Sequence, residues 1–219
     1  MKADAETRER LIEAAERLFA QQGFKRVTVR EICRAARANV AAVNYHFGDK
    51  LGLYREVLQS AIDGMRATTD AAREAGEGHA PEERLRRSIE AFVTRVLSDH
   101  AGTVHNLIHR EINDPTPALD AIVEQGIRPR LDFLARLVSD LVGVPATDRR
   151  VLRCVASIHS QLAAYFPNPI TTRLGFSKTP RTTEDVRSIA AHIAEFSIGG
   201  VRATAAGSKP AGRAKRVSG

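Results

Sequence analysis

The sequence predicts an all-α protein in which three short helices precede a larger helical bundle. Apolar residues recur at helical spacing along most of the chain, and β-branched and aromatic residues nowhere alternate as a half-buried strand requires. The first fifty residues also hold two short segments that each begin with capping chemistry and are separated by only about three residues.

The first helix is expected over Thr7 to Gln22, with Leu11, Ala15 and Leu18 on one face and Gly23 closing it. Thr28 and Glu31 then form a T-x-x-E capping box, with Val27 and Ile32 placed as a hydrophobic staple, so a short helix runs from Thr28 to Ala36. Asn39 caps a third helix, whose Val40, Val43 and Phe47 are expected to face inward. Gly48 and Asp49 end it, and Asp49 caps a fourth that runs through Leu51, Tyr54, Leu58 and Ile62 to a polar loop at Glu74 to Pro81. Helices follow at Glu82 to His100 and Thr103 to Asn113, before Asp114-Pro115-Thr116-Pro117 breaks the chain. The helical pattern from Ala118 to Val142 contains Gly126 and Pro129, where a kink or change of helix is expected. Asp148 to Phe166 and Thr182 to Thr204 complete the set, the latter opened by a box-like Thr182 and Asp185 pair. The tail from Ala205 is rich in small and basic residues, cannot bury a core and is expected to be disordered.

A chain of 219 residues buries a sufficient core without disulfides or metal. Its two cysteines, Cys33 and Cys154, lie far apart in apolar helical patterns, which argues for a reducing setting and against a clustered metal site. The N-terminus has no apolar leader pattern, and no apolar run is long enough to span a bilayer, so the expected location is the cytoplasm, with no membrane partner. The net charge of +7 is confined to the ends: residues 1–50 carry ten basic and seven acidic groups, residues 201–219 five and none, leaving −1 between. That distribution suits a polyanion-binding module on a near-neutral body.

Two short capped helices with a tight break describe a helix-turn-helix, whose second helix enters the major groove. The outer surface is expected to present Ala41, Ala42, Asn44, Tyr45 and His46. Small alanines allow close approach to a thymine methyl, Asn44 matches an adenine edge, and Tyr45 and His46 reach phosphate oxygens. Arg30, Arg34 and Arg37 sit on or just after the preceding helix, and Lys50 opens the following one, where ammonium and free amides together grip phosphate. Counted with Lys25 and Arg26 against Glu31 and Asp49, this region carries +4.

The runs "RERLIEAAERLFAQQGF" and "TVREICRAARANVAAVNYHFGDKLGLYREVL" resemble the DNA-binding domain of the TetR/AcrR regulators over about residues 7–58. "NVAAVNYHFGDKLGLY" and "HREINDPTPALDAIVEQGIRPRLDFL" are similar to the CecR-type branch. The resemblance implies a helix-turn-helix domain at 1–48, an effector-binding and dimerisation domain at 49–204, and the basic tail at 205–219. It also implies a homodimer on double-stranded operator DNA with inverted half-sites, whose C-terminal domain binds a small molecule; linkage then makes a repressor released by that effector the expected function, and the residues show no spacing that suggests a cofactor, metal or catalytic set. By the same resemblance Thr28 and Tyr45 correspond to phosphate contacts, Arg30 and Asn44 to base-touching positions, and His46 and Lys50 to phosphate clamps; Arg37 and Asn39 complete the expected DNA-binding set with Ala41 and Ala42. One departure is visible. Arg37 and Ala38 stand where the family usually has a glycine and a larger aliphatic, so Arg37 is expected to carry a left-handed turn at some strain or to add a phosphate contact.

The expected effector pocket draws on Phe92, His105, His109, Phe133, His159 and Tyr165, with an aromatic or amphipathic ligand. His105 and His109, spaced i, i+4, lack the further spacing that marks a metal site. Val155, Ile158, Leu162, Ile189, Ile193 and Phe196 are the expected dimer interface, formed as a four-helix bundle across a two-fold axis. Two competing functions remain at this level: activation instead of repression, and a protein-interaction module with a decayed helix-turn-helix.

Overall fold

The computed structural model describes residues 2–97, 101–161, 165, 173–174 and 182–206, and these form helices and turns without a strand. The helices are α1 (Lys2–Gln22), α2 (Val29–Ala36), α3 (Val40–Phe47), α4 (Lys50–Gly76), α5 (Pro81–Val96), α6 (Ala101–Asn113), α7 (Leu119–Ile122), α8 (Arg128–Val142), α9 (Arg149–Gln161) and α10 (Thr183–Ala206), with a π-turn at Val123–Ile127. Several boundaries differ from expectation; α6, for one, begins at Ala101, two residues before Thr103. α1 begins five residues earlier, at Lys2; α4 runs through Gly76, into the stretch read as loop; and α10 holds Ala205 and Ala206, read as tail. Residues 207–219, His100, Phe166 and the Pro167-Asn168-Pro169 stop lie outside the described residues.

Packing divides the chain into two units, Met1–Asp70 with Arg95–Arg130, and Ala71–Thr94 with Leu131–Gly219. These units do not coincide with a boundary at 48/49, because the helix-turn-helix shares its core with later helices. Leu11, Phe19, Ile32 and Val43 are buried in one cluster with Leu53, Tyr54 and Leu58 of α4, Leu107 of α6 and Ile122 of α7. Phe19 meets the Tyr54 ring edge-on at 4.9 Å, and Phe24 lies 4.8 Å from it. The Tyr54 hydroxyl donates to Glu111 Oε2 at 2.6 Å, and Glu111 Oε1 accepts from the Thr116 amide at 2.6 Å and its hydroxyl at 2.7 Å. A fully buried carboxylate is thereby supplied with three donors, which is the condition for keeping it inside. Burial, then the hydrogen bond to Glu111, pushes the Tyr54 phenol far above its ordinary range. Tyr54→Phe should cost about 2 kcal/mol by leaving Glu111 short of a donor, lowering Tm by about 4–8 °C in a calorimetric scan. The wild-type chain should also lose stability as pH rises past the ordinary phenol value, because the unfolded chain then releases a proton that the fold retains; the variant should lack that component.

Arg110 of α6 reaches back to the C-terminus of α1. Its Nε donates to Ala20 O at 2.7 Å and its Nη2 to Gln21 O, occupying carbonyls that a helix end leaves without partners. The expected break near Gly126 and Pro129 is a π-turn, in which the Arg128 amide donates to Val123 O. Pro129 has no N–H to give Gln125 O, and Arg66 of α4 supplies the missing donor at 3.1 Å while a second nitrogen binds Gln125 Oε1 at 3.1 Å.

The second unit buries Leu85, Ile89 and Val93 of α5, Leu137 and Val138 of α8, Val151, Val155 and Ile158 of α9, and Ile193, Ile198 and Val201 of α10. Thr182 and Asp185 exchange both capping bonds, at 3.0 Å each, at the start of α10. This packing revises the expected dimer face. Val155, Ile158 and Ile193 are buried in the protomer itself and Ile189 is half-buried, because α9 and α10 pack on each other; Leu162 lies outside the described residues. Of that set only Phe196 is exposed, at 66%. It shares the outer side of α10 with His192, Gly199, Gly200 and Ala203, and α9 exposes Leu152 and Ala156.

Candidate nucleic-acid interface

The local sequence fixes α2 and α3 at all four ends. At the start of α2, Thr28 Oγ1 accepts from the Glu31 amide at 3.3 Å, and Glu31 Oε2 accepts from the Thr28 amide at 2.8 Å and hydroxyl at 2.7 Å. These bonds hold the Glu31 carboxyl below its usual range. At its end, Arg37 adopts φ +51°, its amide donating to Arg34 O at 3.3 Å, while the Ala38 amide donates to Cys33 O at 2.9 Å. This is a Schellman closure, normally given to glycine. Arg10 of α1 adds a donor to Ala36 O at 3.2 Å. Asn39 Oδ1 caps α3 through the Ala41 amide at 3.0 Å, and Asp49 Oδ1 caps α4 through the Gly52 amide at 2.7 Å. A Cβ at Gly52 would fall 1.9 Å from the Phe47 carbonyl oxygen, so the close turn from α3 into α4 as folded here requires glycine.

On α3, Val43 is fully buried, and Ala42 and Phe47 are half-buried against the core. Val40 is exposed instead of inward, at 41%, in a first turn where Asn39 and Ala41 are exposed as well. The outer face therefore comprises Val40, Ala41, Asn44 and Tyr45, the last 77% exposed. His46 is absent from that face. Its side chain is only 9% exposed, and its Nε2 lies 3.3 Å from Asp4 Oδ1 of α1. Lys50 is half-buried, with Nζ 4.4 Å above the Phe24 ring, and burial holds its ammonium below the usual range against the pull of Glu31. Thr28 is exposed, but its hydroxyl and amide protons are both directed at Glu31.

Arg26, Arg30, Arg34 and Arg37 are exposed and form no salt bridge among the described residues. Lys25, counted among the free charges from sequence, pairs with Asp114. Exposed guanidinium groups on and around α2, together with a small-residue α3 face carrying one amide and one phenol, have the composition of a groove-reading surface: charge to hold phosphates, and short polar and apolar groups to meet base edges.

The residues expected to line an effector pocket are distributed over both units. His109 lies at the rim of a cleft of about 770 Å³ in the first unit, with Gln21, Phe24, Arg26, Asn106 and Asp114. Phe92, Phe133, His159 and Tyr165 belong to the second unit, where Phe133 lies 5.4 Å beneath the Arg73 guanidinium and His159 is exposed. The side chain of His105 lies outside the described residues. Among the described residues there is no group of three or more side chains that could hold a metal ion, and no helix is long and apolar enough to cross a membrane.

Residues 11–57 match the family described as bacterial regulatory proteins, tetR family, and residues 81–201, more than half the chain, match the C-terminal domain of the HTH-type transcriptional dual regulator CecR. The chain belongs to the TetR family. It is 27% identical over 169 residues to the HTH-type transcriptional dual regulator CecR of Shigella flexneri, covering 73% of this chain and 75% of that protein. The HTH-type transcriptional repressor BepR of Brucella suis is 28% identical over 137 residues, 61% of this chain and 64% of BepR. A crystal structure of a tetR-family bacterial regulatory protein from Rhodococcus RHA1 superposes with a TM-score of 0.67 at 21% identity, covering 89% of this chain and 96% of that one, and supports the same fold. The TetR-family chain is thus a DNA-binding transcriptional regulator, and its relatives are regulators, not enzymes.

Membership sharpens the meaning of Arg37. Its positive φ places Arg37 in the left-handed conformation that the missing glycine would have adopted freely. Arg37→Gly should relieve about 1 kcal/mol and raise Tm by about 2–4 °C, while lowering the salt dependence of DNA binding if the guanidinium contacts phosphate. An unchanged or lower Tm in a thermal scan contradicts the strain.

Proposed function

We propose that this protein is a homodimeric repressor that binds an operator of inverted half-sites and leaves it when a small molecule binds the helical bundle. The observation that carries the reading is the α3 face of Val40, Ala41, Asn44 and Tyr45, together with exposed arginines on and around α2, Arg26, Arg30, Arg34 and Arg37, that form no salt bridge among the described residues. Asn44 reads an adenine edge, Val40 and Ala41 meet thymine methyls, and Tyr45 with Arg26, Arg30, Arg34 and Arg37 holds phosphates. Dimerisation uses the exposed side of α9 and α10, where Leu152 and Phe196 are each exposed and Gly199 and Gly200 permit close helix approach.

Release follows from linkage. A ligand that favours a separation of the two α3 helices unlike one duplex turn weakens DNA binding, and DNA weakens ligand binding by the same factor. The similarity to BepR, named a repressor, supports repression. Transcription from a promoter carrying the bound sequence should rise when the gene is deleted and return on complementation; a fall on deletion assigns activation instead.

A further inference from the structure

The N-terminal half of α1 touches the other three helices of the DNA-binding core through polar groups, and contacts from three of its residues land on the ends that aim α3. Asp4 Oδ1 lies 3.3 Å from Nε2 of His46, in the last turn of α3. The Arg8 guanidinium lies 5.5 Å over the ring of Phe47, the final residue of α3, and pairs with Glu56 of α4. Arg10 Nε donates to the carbonyl of Ala36, the final residue of α2, at 3.2 Å, and its Nη2 is steadied by Thr7 Oγ1 at 3.1 Å.

α3 needs such restraint. It has eight residues, barely two turns, and Val43 is its one fully buried side chain. A helix with so little buried area depends on its caps and on contacts from neighbouring helices to hold its pose. The turn before it is closed by an arginine in the left-handed region, where glycine would close it without strain. Arg10 binds the carbonyl immediately before that turn, and Asp4 holds the opposite end of α3 through His46, a side chain sequence reasoning had assigned to phosphate.

We propose that Asp4, Arg8 and Arg10 are positioning residues for sequence reading: they set the pose of α3 through His46, Phe47 and the Ala36 carbonyl without themselves reading bases. The inference rests on the reading of α3 as the DNA-reading helix. It is separable from simple electrostatics by sign. Removing the Asp4 carboxylate deletes a negative charge, which by charge alone raises affinity for any duplex; loss of positioning lowers affinity for the selected sequence only.

The experiment uses the full chain, a duplex selected by the wild-type protein from a random pool, and a scrambled duplex, with binding measured by fluorescence anisotropy over a salt series. Asp4→Ala and Arg10→Met should each lower the ratio of selected to scrambled affinity by about tenfold, equivalent to about 1.4 kcal/mol. Asp4→Glu and Arg10→Lys should restore it in large part, and circular dichroism melts of all four should stay near wild type, since Asp4 is 54% exposed. An unchanged ratio in both variants, or a rise in affinity for both duplexes with Asp4→Ala, overturns positioning. A wild-type protein that selects no sequence overturns the DNA reading itself, which is a different result.

Discussion

Ile193→Asp should unfold the second helical unit, whereas Phe196→Asp, three residues later on the same helix, should leave the protomer folded and separate the dimer. Ile193 is 1% exposed, so aspartate there places a carboxylate inside the apolar core of the second unit. The lost apolar burial alone amounts to about 2–5 kcal/mol, and the unpaired charge adds more, together comparable to a typical domain's whole stability of about 5–15 kcal/mol. Phe196 is 66% exposed, and substitution at such a site shifts protomer stability by about 0.5 kcal/mol or less. In the proposed dimer a carboxylate on this exposed side of α10 is carried into the interface, where its desolvation opposes association. Far-ultraviolet circular dichroism with light scattering distinguishes the cases: a large loss of helix for Ile193→Asp, and native helix with half the mass for Phe196→Asp. A well-folded Ile193→Asp protein would contradict the assignment of that residue to the core.

Replacing Arg26, Arg30, Arg34 and Arg37 together by alanine should remove most affinity for any duplex and flatten the salt dependence of what remains. Each phosphate neutralised releases condensed counterions and contributes about 0.9 to the slope of log K against log salt, so four contacts account for about 3.6 of slope. None of the four forms a salt bridge among the described residues, so no carboxylate is left unpaired by the change. Their exposure also makes the substitutions mild for stability. A slope within experimental error of wild type would place these cations away from the phosphates.

The helix-turn-helix was legible because its signals are local. Thr28 with Glu31 and Asn39 with Ala41 act within three residues, and the bonds expected of them are present. Signals that depend on distant partners were not legible. His46 looks like an outward basic group from its own helix, and its partner Asp4 lies on α1. Gly126 and Pro129 mark a break, but a π-turn requires a donor for Gln125 O, and Arg66 supplies it from 59 positions away. α9 and α10 each carry apolar residues on more than one side, so periodicity identifies them as packed helices without saying which side meets the protomer and which a second copy. That ambiguity is why Val155, Ile158 and Ile193 were placed at the interface, while Leu152 and Phe196 are the large apolar groups that these two helices leave exposed.

The most direct measurement is a nuclease footprint of the full chain on a duplex recovered from a random pool, together with the stoichiometry of the complex. Paired α3 helices predict two protected inverted half-sites with centres about 10 bp apart or a multiple of that, two protomers per site, and loss of protection on Asn44→Ala. Protection of a single continuous site by one protomer, or no selected sequence at low ionic strength, would contradict it.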